Sequence, residues 1–428
     1  MPEPDLNFTI KRLGECRYSS PIKEFRFIDE DERLLYHACP KQVKSFFDSG
    51  CKPPELEMAG PRRQIFFDPT RLACGIVTCG GLCPGLNDVI RAVVLSLFHH
   101  YGVRKVHGFR YGYRGLIKRH GVTPMDLTPE TVDPIDNMGG TILGSSRGPQ
   151  DPAEMVDYLQ ELQVGVLFTL GGDGTLKGAQ KIAEEALRRG YPLSVIGIPK
   201  TIDNDISYIQ KTFGFETAVA EAQRAIYAAH SEAVGAPNGV TLVKLMGRDS
   251  GFITAGAALV EPDVNFCLVP EVPFTLEGFL ASLQARLGNR SHAVIAVAEG
   301  AGQDLLQVSK EYDESGNLKH SDIGPFLRDA IKNHFQKIGV EVNVKYIDPS
   351  YMIRSVPANP HDSAFCLMLG QNAVHAGMSG RTDMVVGFWN HRFTHVPIAL
   401  AASKRKKLDV EGPLWASVLA TTGQPHQM

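Results

Sequence analysis

The chain has 428 residues, enough at roughly 150 residues per domain for two or three folded units, each with its own buried core. Hydrophobic residues at 43% and charged residues at 21% exclude a mostly disordered, collagenous or fibrous chain. With 44 basic against 47 acidic residues the formal net charge is -3, so no global field recruits nucleic acid or an anionic membrane, and anionic ligands have to be caught locally.

No uncharged apolar run approaches the roughly 20 residues that span a bilayer. The first residues mix acids, bases and prolines where a secretory signal needs an apolar core, which predicts a cytoplasmic protein with no membrane partner. The eight cysteines, at 16, 39, 51, 74, 79, 83, 267 and 366, form no CxxC pair and no dense frame, which predicts reduced thiols. Cys74, Cys79 and Cys83 lie near one another, but no histidine or fourth cysteine stands at zinc-ligand spacing.

Residues 1–70 carry Pro53, Pro54 and Pro61, mixed charge and no sustained helix or strand period, and read as an N-terminal extension of illegible role. From Arg71 onward, apolar runs of 5 to 8 residues end in glycine or a small polar residue and lead into helical segments, the pattern of βα units on a parallel sheet. A strand is predicted over 73–78, then a CGGLCPG turn, then a helix whose apolar residues at 89, 90, 93, 94, 97 and 98 share one face, capped by Asn87 or Asp88. Next come a strand over 105–109, a glycine-rich turn over 139–148, and a helix opening at Asp151 with Pro152 in first position and Glu154 closing a capping box. The stretch 164–175 predicts a buried strand running into glycines and then a helix over 176–189, and 193–199 predicts another strand, ending in KTIDND.

A second set of βα units follows, with a helix over 215–232, strands over 239–245 and 292–300, and helices near 277–287 and 323–338. Helix 362–376 and strand 383–389 return to the first set. The expected fold is therefore α/β: two three-layer Rossmann-like domains with mostly parallel sheets facing across a cleft. The first covers 71–212, completed by about 354–403, the second covers 213–353, and 404–428 is a C-terminal segment. In open α/β sheets ligands bind beyond the carboxyl ends of the strands, so the loops at 79–85, 139–148, 171–175 and 200–205 are expected to share one crevice.

Gly80-Gly81, between a strand and a helix, offers backbone N–H groups and a positive helix end to an anion, though a bare turn of this kind equally serves as a tight bend. In GGDGT, Gly171 and Gly172 let a polyphosphate approach the backbone, Asp173 is a carboxylate suited to Mg2+, and Thr175 is placed to cap the next helix and donate to phosphate. The sequence IPKTIDND adds Asp203 and Asp205 at the tip of a neighbouring strand, one to act as base and the other to hold partner groups. Phosphoryl transfer to a sugar hydroxyl needs a carboxylate at that hydroxyl and cations on the transferred group. Asp203, Asp173 with Mg2+, and Arg147 can supply those parts.

The ordered motifs CGGLCPGLN, GSSRG, GGDGT, PKTIDND, KLMGRDSG, VAEG and DPSYMIRS resemble those of the 6-phosphofructokinases, over about Ala73 to Ile398. The long N-terminal extension and the wording of PKTIDND and YMIRS look like the branch shared by plant-type and trypanosomatid ATP-dependent enzymes. The resemblance implies a nucleotide-binding first domain and a sugar-phosphate-binding second one, with Mg2+ and ATP as phosphoryl donor and fructose 6-phosphate as acceptor. It implies that Gly81, Arg147, Gly148, Gly172, Asp173, Gly174 and Thr175 hold the nucleotide phosphates, with Asp173 on the metal. Thr201, Ile202 and Asp203 would meet the reacting end of the sugar, with Asp203 as base and Arg147, Gly81 and Thr201 assisting. Met246, Gly247, Arg248 and Glu299 are the implied sugar contacts, and Tyr351 and Arg354 match the segment that takes the 6-phosphate. Many bacterial members carry His where Tyr351 stands, and Lys345 is the candidate to compensate. An arginine that reaches across subunits in bacterial relatives aligns near Asn238 and Gly239, so that contact is missing from the pattern. A homotetramer or homodimer is the implied assembly.

The same family contains pyrophosphate users, which usually carry a second Asp where this chain has Gly174. The open glycine leaves room for an α-phosphate and nucleoside and favours ATP. Lys200 matches the pyrophosphate type, but an extra cation beside a polyphosphate is merely favourable, whereas an Asp excludes by both shape and charge. Pyrophosphate-dependent phosphofructokinase is therefore the alternative, and a non-catalytic nucleotide or sugar-phosphate sensor is a further one. The sensor leaves Asp203 without a purpose. Residues 404–407, KRKK, read as a solvated basic face, and His99, His100, His391 and His395 lack metal spacing.

Overall fold

Strand Val164–Gly171 is buried along almost its whole length, and its alternate residues feed two different cores. Leu167 packs with Met155, Val156 and Leu159 of helix Pro152–Glu161 and with Leu176, Ala179 and Ile182 of helix Asp173–Arg188. Val166 and Phe168 point the other way, toward helix Pro360–Met378, where a Cβ on Gly377 would come within 2.7 Å of Val166. That is the three-layer arrangement, read from one strand. The computed structural model describes residues 6–23, 26–306 and 320–428, and the chain divides into two units.

The first unit runs through Thr201 and takes in Ile206–Phe213 and Pro357–Lys404. Its nine-stranded sheet runs Arg33–Leu35, Glu55–Met58, Arg392–Pro397, Met384–Trp389, Ser194–Pro199, Val164–Gly171, Ala73–Thr78, Lys105–Phe109, Met125–Asp126. The five strands from Met384–Trp389 to Lys105–Phe109 are parallel to one another, and antiparallel strands finish both edges. Thr78 pairs with Leu170 and Gly171 with Pro199, so these three strands end level with one another.

The second unit comprises Ile202–Asp205, Gly214–Val356 and Arg405–Met428. Its sheet is wholly parallel, in the order Phe266–Leu268, His292–Ala298, Gly239–Leu245, Asn343–Ile347. Val240, Leu242, Ile295 and Val297 pack on helices Leu276–Asn289 and Ile323–Lys337, while helices Phe215–Val234 and Phe252–Val260 cover the opposite face. The C-terminal residues are part of this unit: the Gln424 side chain bonds both the N–H and the carbonyl of Cys267, on the outer strand.

Local details depart from expectation in instructive ways. Helix Leu86–Ser96 is entered through Gly85 in the left-handed region at φ 95°, with no side-chain cap. A Cβ there would sit 2.6 Å from the Cys366 sulfur, so only glycine fits. Asn87 lies inside the helix and instead accepts from Ile142 N–H and donates to the Met138 carbonyl, each at 2.9 Å. Asp151 does cap Pro152–Glu161, through Ala153 N–H at 2.8 Å, but Glu154 turns to Arg119 at 2.6 Å rather than closing a box. The helix after GGDGT starts at Asp173, three residues early, because Gly172 is itself the cap residue.

The described part of the first 70 residues, 6–23 and 26–70, is built into the first unit. Strand Glu55–Met58 pairs with Arg392–Pro397 and sets Glu57 directly opposite His395. Glu57 accepts from His395 Nδ1 at 2.8 Å, from Arg12 at 3.1 Å and from Arg381 Nε, with Arg62 at 3.7 Å; Glu30 takes Arg381 at 2.9 Å and Arg12 at 2.8 Å. Burial and the neighbouring arginines push the His395 imidazole down to about 4, against hydrogen bonding and charge from Glu57, so it is buried neutral. The cations and His395 hold the Glu57 carboxyl far below its usual range in spite of burial. Both groups stabilise the fold at neutral pH. The histidine's share is lost as pH falls from about 6.5 toward 4, and the carboxylate's is lost below about 4.5.

Glu57→Ala leaves Arg62 and Arg381 buried with Glu30 alone among these carboxylates, and should destabilise by about 3–5 kcal/mol. Denaturant unfolding of the variant beside the parent checks this, and a loss under about 1 kcal/mol would contradict the assigned burial of the pair.

Candidate active site

In the first unit the level strand ends bring three glycine loops to one sheet edge. The turn after Ala73–Thr78 is held by Gly80 N–H donating to the Ser146 carbonyl at 3.1 Å and by Ser145 Oγ donating to the Gly80 carbonyl at 2.6 Å. Thr78 Oγ1 donates to the Gly144 carbonyl at 2.7 Å, so the 79–81 and 144–148 turns are laced together. Gly80, Gly144 and Gly148 all take positive φ there. Arg147 lies exposed on the second turn, and Gly81 accepts from Lys200 Nζ at 2.5 Å. Lys200, at the tip of the third strand, is thus a strut between two loops.

The third loop becomes the first turn of Asp173–Arg188. This 16-residue helix has no side-chain cap, and its opening turn has the character of an anion site. Asp173 faces Lys177 one turn on at 2.9 Å and keeps part of its side chain in solvent. Gly174 is open: a Cβ built there meets no heavy atom within 4 Å. Thr175 is buried within the helix and is not the cap, because its side chain occupies the space above Gly171, where a Cβ would collide at 2.1 Å. Thr201, next to Lys200, accepts from Thr212 Oγ1 at 2.7 Å.

In the second unit, Leu245 pairs with Ala298 and Val243 with Ile347, which sends Met246–Arg248, Glu299 and Asp348 out at one sheet edge. Gly247, at φ 129°, and Gly300 permit the crossing: a Cβ on Gly300 would lie 1.9 Å from the Arg248 carbonyl oxygen. Ile202 is buried and anchors the 202–205 peptide, with Asp203 O accepting from Ser250 Oγ at 3.2 Å. Asp203 keeps some exposed surface, although its Oδ1 is shut off from solvent. Burial, then Asp205, Glu299 and Asp249, push its carboxyl well above the usual range, with Arg405 opposing. Burial likewise raises Glu299, against Lys244 and Arg248. Two carboxyls with elevated affinity for protons thus occur in one unit, the pattern of an acid–base site.

Tyr351 and Arg354 share the short helix Ser350–Arg354, with the guanidinium 4.7 Å above the ring. Tyr351 is 75% exposed. Lys345, the candidate to compensate, is ion-paired with Glu232 across the surface. Asn238 Nδ2 donates to the Glu341 carbonyl at 2.9 Å, and a Cβ on Gly239 would collide with the Ala233 carbonyl at 2.0 Å, so this backbone rejects an arginine at 239.

Sequence reasoning passed over two features. Lys244 is gripped by Asp348 at 2.8 Å and Asp322 at 3.0 Å at the end of its strand. The KRKK run is not a solvated face: Arg405 is ion-paired with Asp205 and lies 3.3 Å from Asp249, and burial pushes the Lys406 ammonium down to about 7 against the pull of Asp205. The excess of unmatched acids in TIDND and GRDSG was the available signal. Among the described residues no group of three or more His, Cys, Asp and Glu could hold a metal, all eight cysteines are free thiols, and no helix is long and apolar enough to cross a membrane.

The phosphofructokinase family model matches residues 73–377, which takes in the glycine loops, PKTIDND, MGR, VAEG and the Tyr351–Arg354 segment. The chain belongs to the phosphofructokinase family. It is accordingly a phosphotransferase. It is 46% identical to the ATP-dependent 6-phosphofructokinase of Borreliella burgdorferi, covering 99% of this chain and 98% of that one. The Trypanosoma brucei brucei ATP-dependent 6-phosphofructokinase is 47% identical over 96% of this chain and 86% of its own. Arabidopsis thaliana ATP-dependent 6-phosphofructokinase 7 is 44% identical over 99% and 86%. The family fold is seen too in the pyrophosphate-dependent phosphofructokinase of Marinobacter aquaeolei, with a TM-score of 0.68 over 82% of this chain and 91% of that one at 20% identity.

Proposed function

We propose that this phosphofructokinase transfers the γ-phosphoryl group of ATP in line onto the 1-hydroxyl of fructose 6-phosphate, giving fructose 1,6-bisphosphate and ADP in glycolysis, with no covalent enzyme intermediate. The observation that carries the donor is Gly174. The absence of any heavy atom within 4 Å of its Cβ direction leaves space beside the uncapped helix end for the rest of a nucleotide. The near-full-length relatives named as ATP-dependent support the same donor. Lys200, which resembles the pyrophosphate type, has a structural bond to Gly81 and does not require a different donor.

In this reading Gly81, Arg147, Gly148 and the 172–175 turn hold the phosphates. A single carboxylate, Asp173, fits a Mg2+ site completed by phosphate oxygens and water rather than by a protein cage. When bound, that ion neutralises charge on the transferred group. Asp203 orients the 1-hydroxyl and takes its proton, helped by the raised proton affinity that burial and neighbouring acids confer. Thr201 and Ile202 flank it, and Met246, Gly247, Arg248 and Glu299 hold the hexose. Arg354, stacked on Tyr351, meets the 6-phosphate. Assembly as a homotetramer or homodimer in the cytoplasm belongs to the same reading.

A coupled assay of fructose 6-phosphate with ATP or pyrophosphate at matched Mg2+ tests the donor. ATP should support turnover roughly a hundredfold better than pyrophosphate. The reverse preference would overturn the assignment.

A further inference from the structure

We infer that Arg405 is a positioning residue for phosphoryl transfer: its guanidinium ties the peptide that carries Asp203 to the loop that carries Arg248, and keeps a permanent positive charge on their shared acidic side. The inference rests on the reading of Asp203 as the base.

Arg405 uses two different nitrogens on two different loops. Nη1 is ion-paired with Oδ2 of Asp205, two residues beyond Asp203, and Nε lies 3.3 Å from Oδ2 of Asp249, the residue after Arg248. Asp249 in turn lies 3.9 Å from Arg248. The strap that brings Arg405 in is fixed on either side of these contacts. Lys406 N–H donates to the Asp205 carbonyl at 2.7 Å, and Leu408 N–H donates to Glu271 Oε1 at 2.9 Å. The same Glu271 carboxylate receives Gly251 N–H at 3.0 and 3.1 Å, at the start of helix Phe252–Val260. One acid therefore fastens both the strap and the far end of the Met246–Gly251 loop. Lys406 Nζ lies 5.2 Å over the Phe252 ring.

Charge balance explains why an arginine stands here. Among the groups acting on Asp203 are Asp205 on its own peptide, Asp249 on the loop after Gly239–Leu245, Glu299 after His292–Ala298, and Arg405 on the strap. Lys244, Arg248 and Arg354 are the cations that act on Glu299, with Asp348 opposing them, and Lys406 is drawn to Asp205. Lys406 is drawn toward neutrality by burial, so it is a weak counter-charge near neutral pH. Arg405 stays charged at any working pH, and its planar fork can serve two carboxylates where an ammonium serves one point. Lys404 and Lys407 are exposed, Lys404 with its ammonium 5.5 Å over the Tyr208 ring.

The test compares the full-length chain with Arg405→Gln, Arg405→Lys and Asp203→Asn, measuring kcat and KM for both substrates across pH, together with thermal melting. Arg405→Gln should lower kcat by roughly ten- to a hundredfold through misplacement of the base, with KM for ATP within about twofold. The acid limb of its kcat/KM profile should move up by about one pH unit, because the base loses a favourable cation. Arg405→Lys should restore the limb but only part of kcat. Asp249→Asn, which removes a like charge and leaves the Asp205 pair in place, should move the limb down. A wild-type limb in Arg405→Gln, or equal losses in Gln and Lys variants that merely follow melting, would overturn the inference. Should the Gln variant fail to fold, an unmoved limb in Asp249→Asn would overturn it instead. Near-normal turnover in Asp203→Asn would remove the base assignment itself and this inference with it, whereas a dead Asp203→Asn beside an unmoved limb in Arg405→Gln would remove only the inference.

Discussion

Asp203→Asn should lower kcat by about 10²- to 10⁴-fold, the range expected when a positioned base is lost, while KM for fructose 6-phosphate changes by less than about threefold. The substitution keeps the side-chain shape, and the bond from Ser250 Oγ reaches the backbone carbonyl, so the peptide has no reason to move. Burial beside Asp205, Asp249 and Glu299 already disfavours the ionised form. A neutral amide removes that repulsion, so the variant should melt at the parent temperature or slightly above it. Loss of turnover without loss of stability is the signature of a group retained for chemistry. In the parent enzyme the acid limb of kcat/KM should lie well above the ordinary carboxylate value of 3.8, because activity needs the deprotonated base and the site favours the protonated one. Steady-state kinetics across pH with parallel melting curves check both points. Near-parental turnover in the variant would end the assignment.

Gly174→Asp should cost ATP turnover at least a hundredfold in kcat/KM while leaving the fold intact. The two halves of that statement have separate causes. Gly174 has an ordinary helical position with no positive φ, and nothing stands within 4 Å of a Cβ there, so the side chain enters without a clash. It also sits in the first turn of Asp173–Arg188, where a carboxylate is favoured by the helix dipole by about 0.3–1 kcal/mol. The damage is confined to the ligand: a second negative charge beside Asp173 would occupy and repel the space proposed for the nucleotide. Melting temperature, and kcat/KM with ATP and with pyrophosphate, separate the two effects. Retained ATP activity would show that the open turn is not where the donor extends.

The candidate site was legible wherever it depends on short-range pattern. An apolar run of strand length, a glycine pair and a helical period specify a strand tip, and register then places the tips side by side. That is why 79–81, 144–148, 172–175 and 200–201 meet at one sheet edge in the first unit, and 246–248 with 299 at one edge in the second. Exact starts were less legible, as with Gly85 and Gly172, because a glycine cap and a glycine turn are written with the same letter.

The sequence alone determined the fold class, the order of the glycine loops and the candidate acids, since these follow from local burial, backbone freedom and residue chemistry. Tertiary structure decided which charges meet. Glu57 finds His395 338 positions away, and Asp205 finds Arg405 200 positions away. Lys345 is taken by Glu232, from a helix 113 positions earlier. Periodicity reports how deeply each residue is buried but carries no information about which distant residue faces it, so a four-residue basic run reads the same whether water or two buried loops receive it.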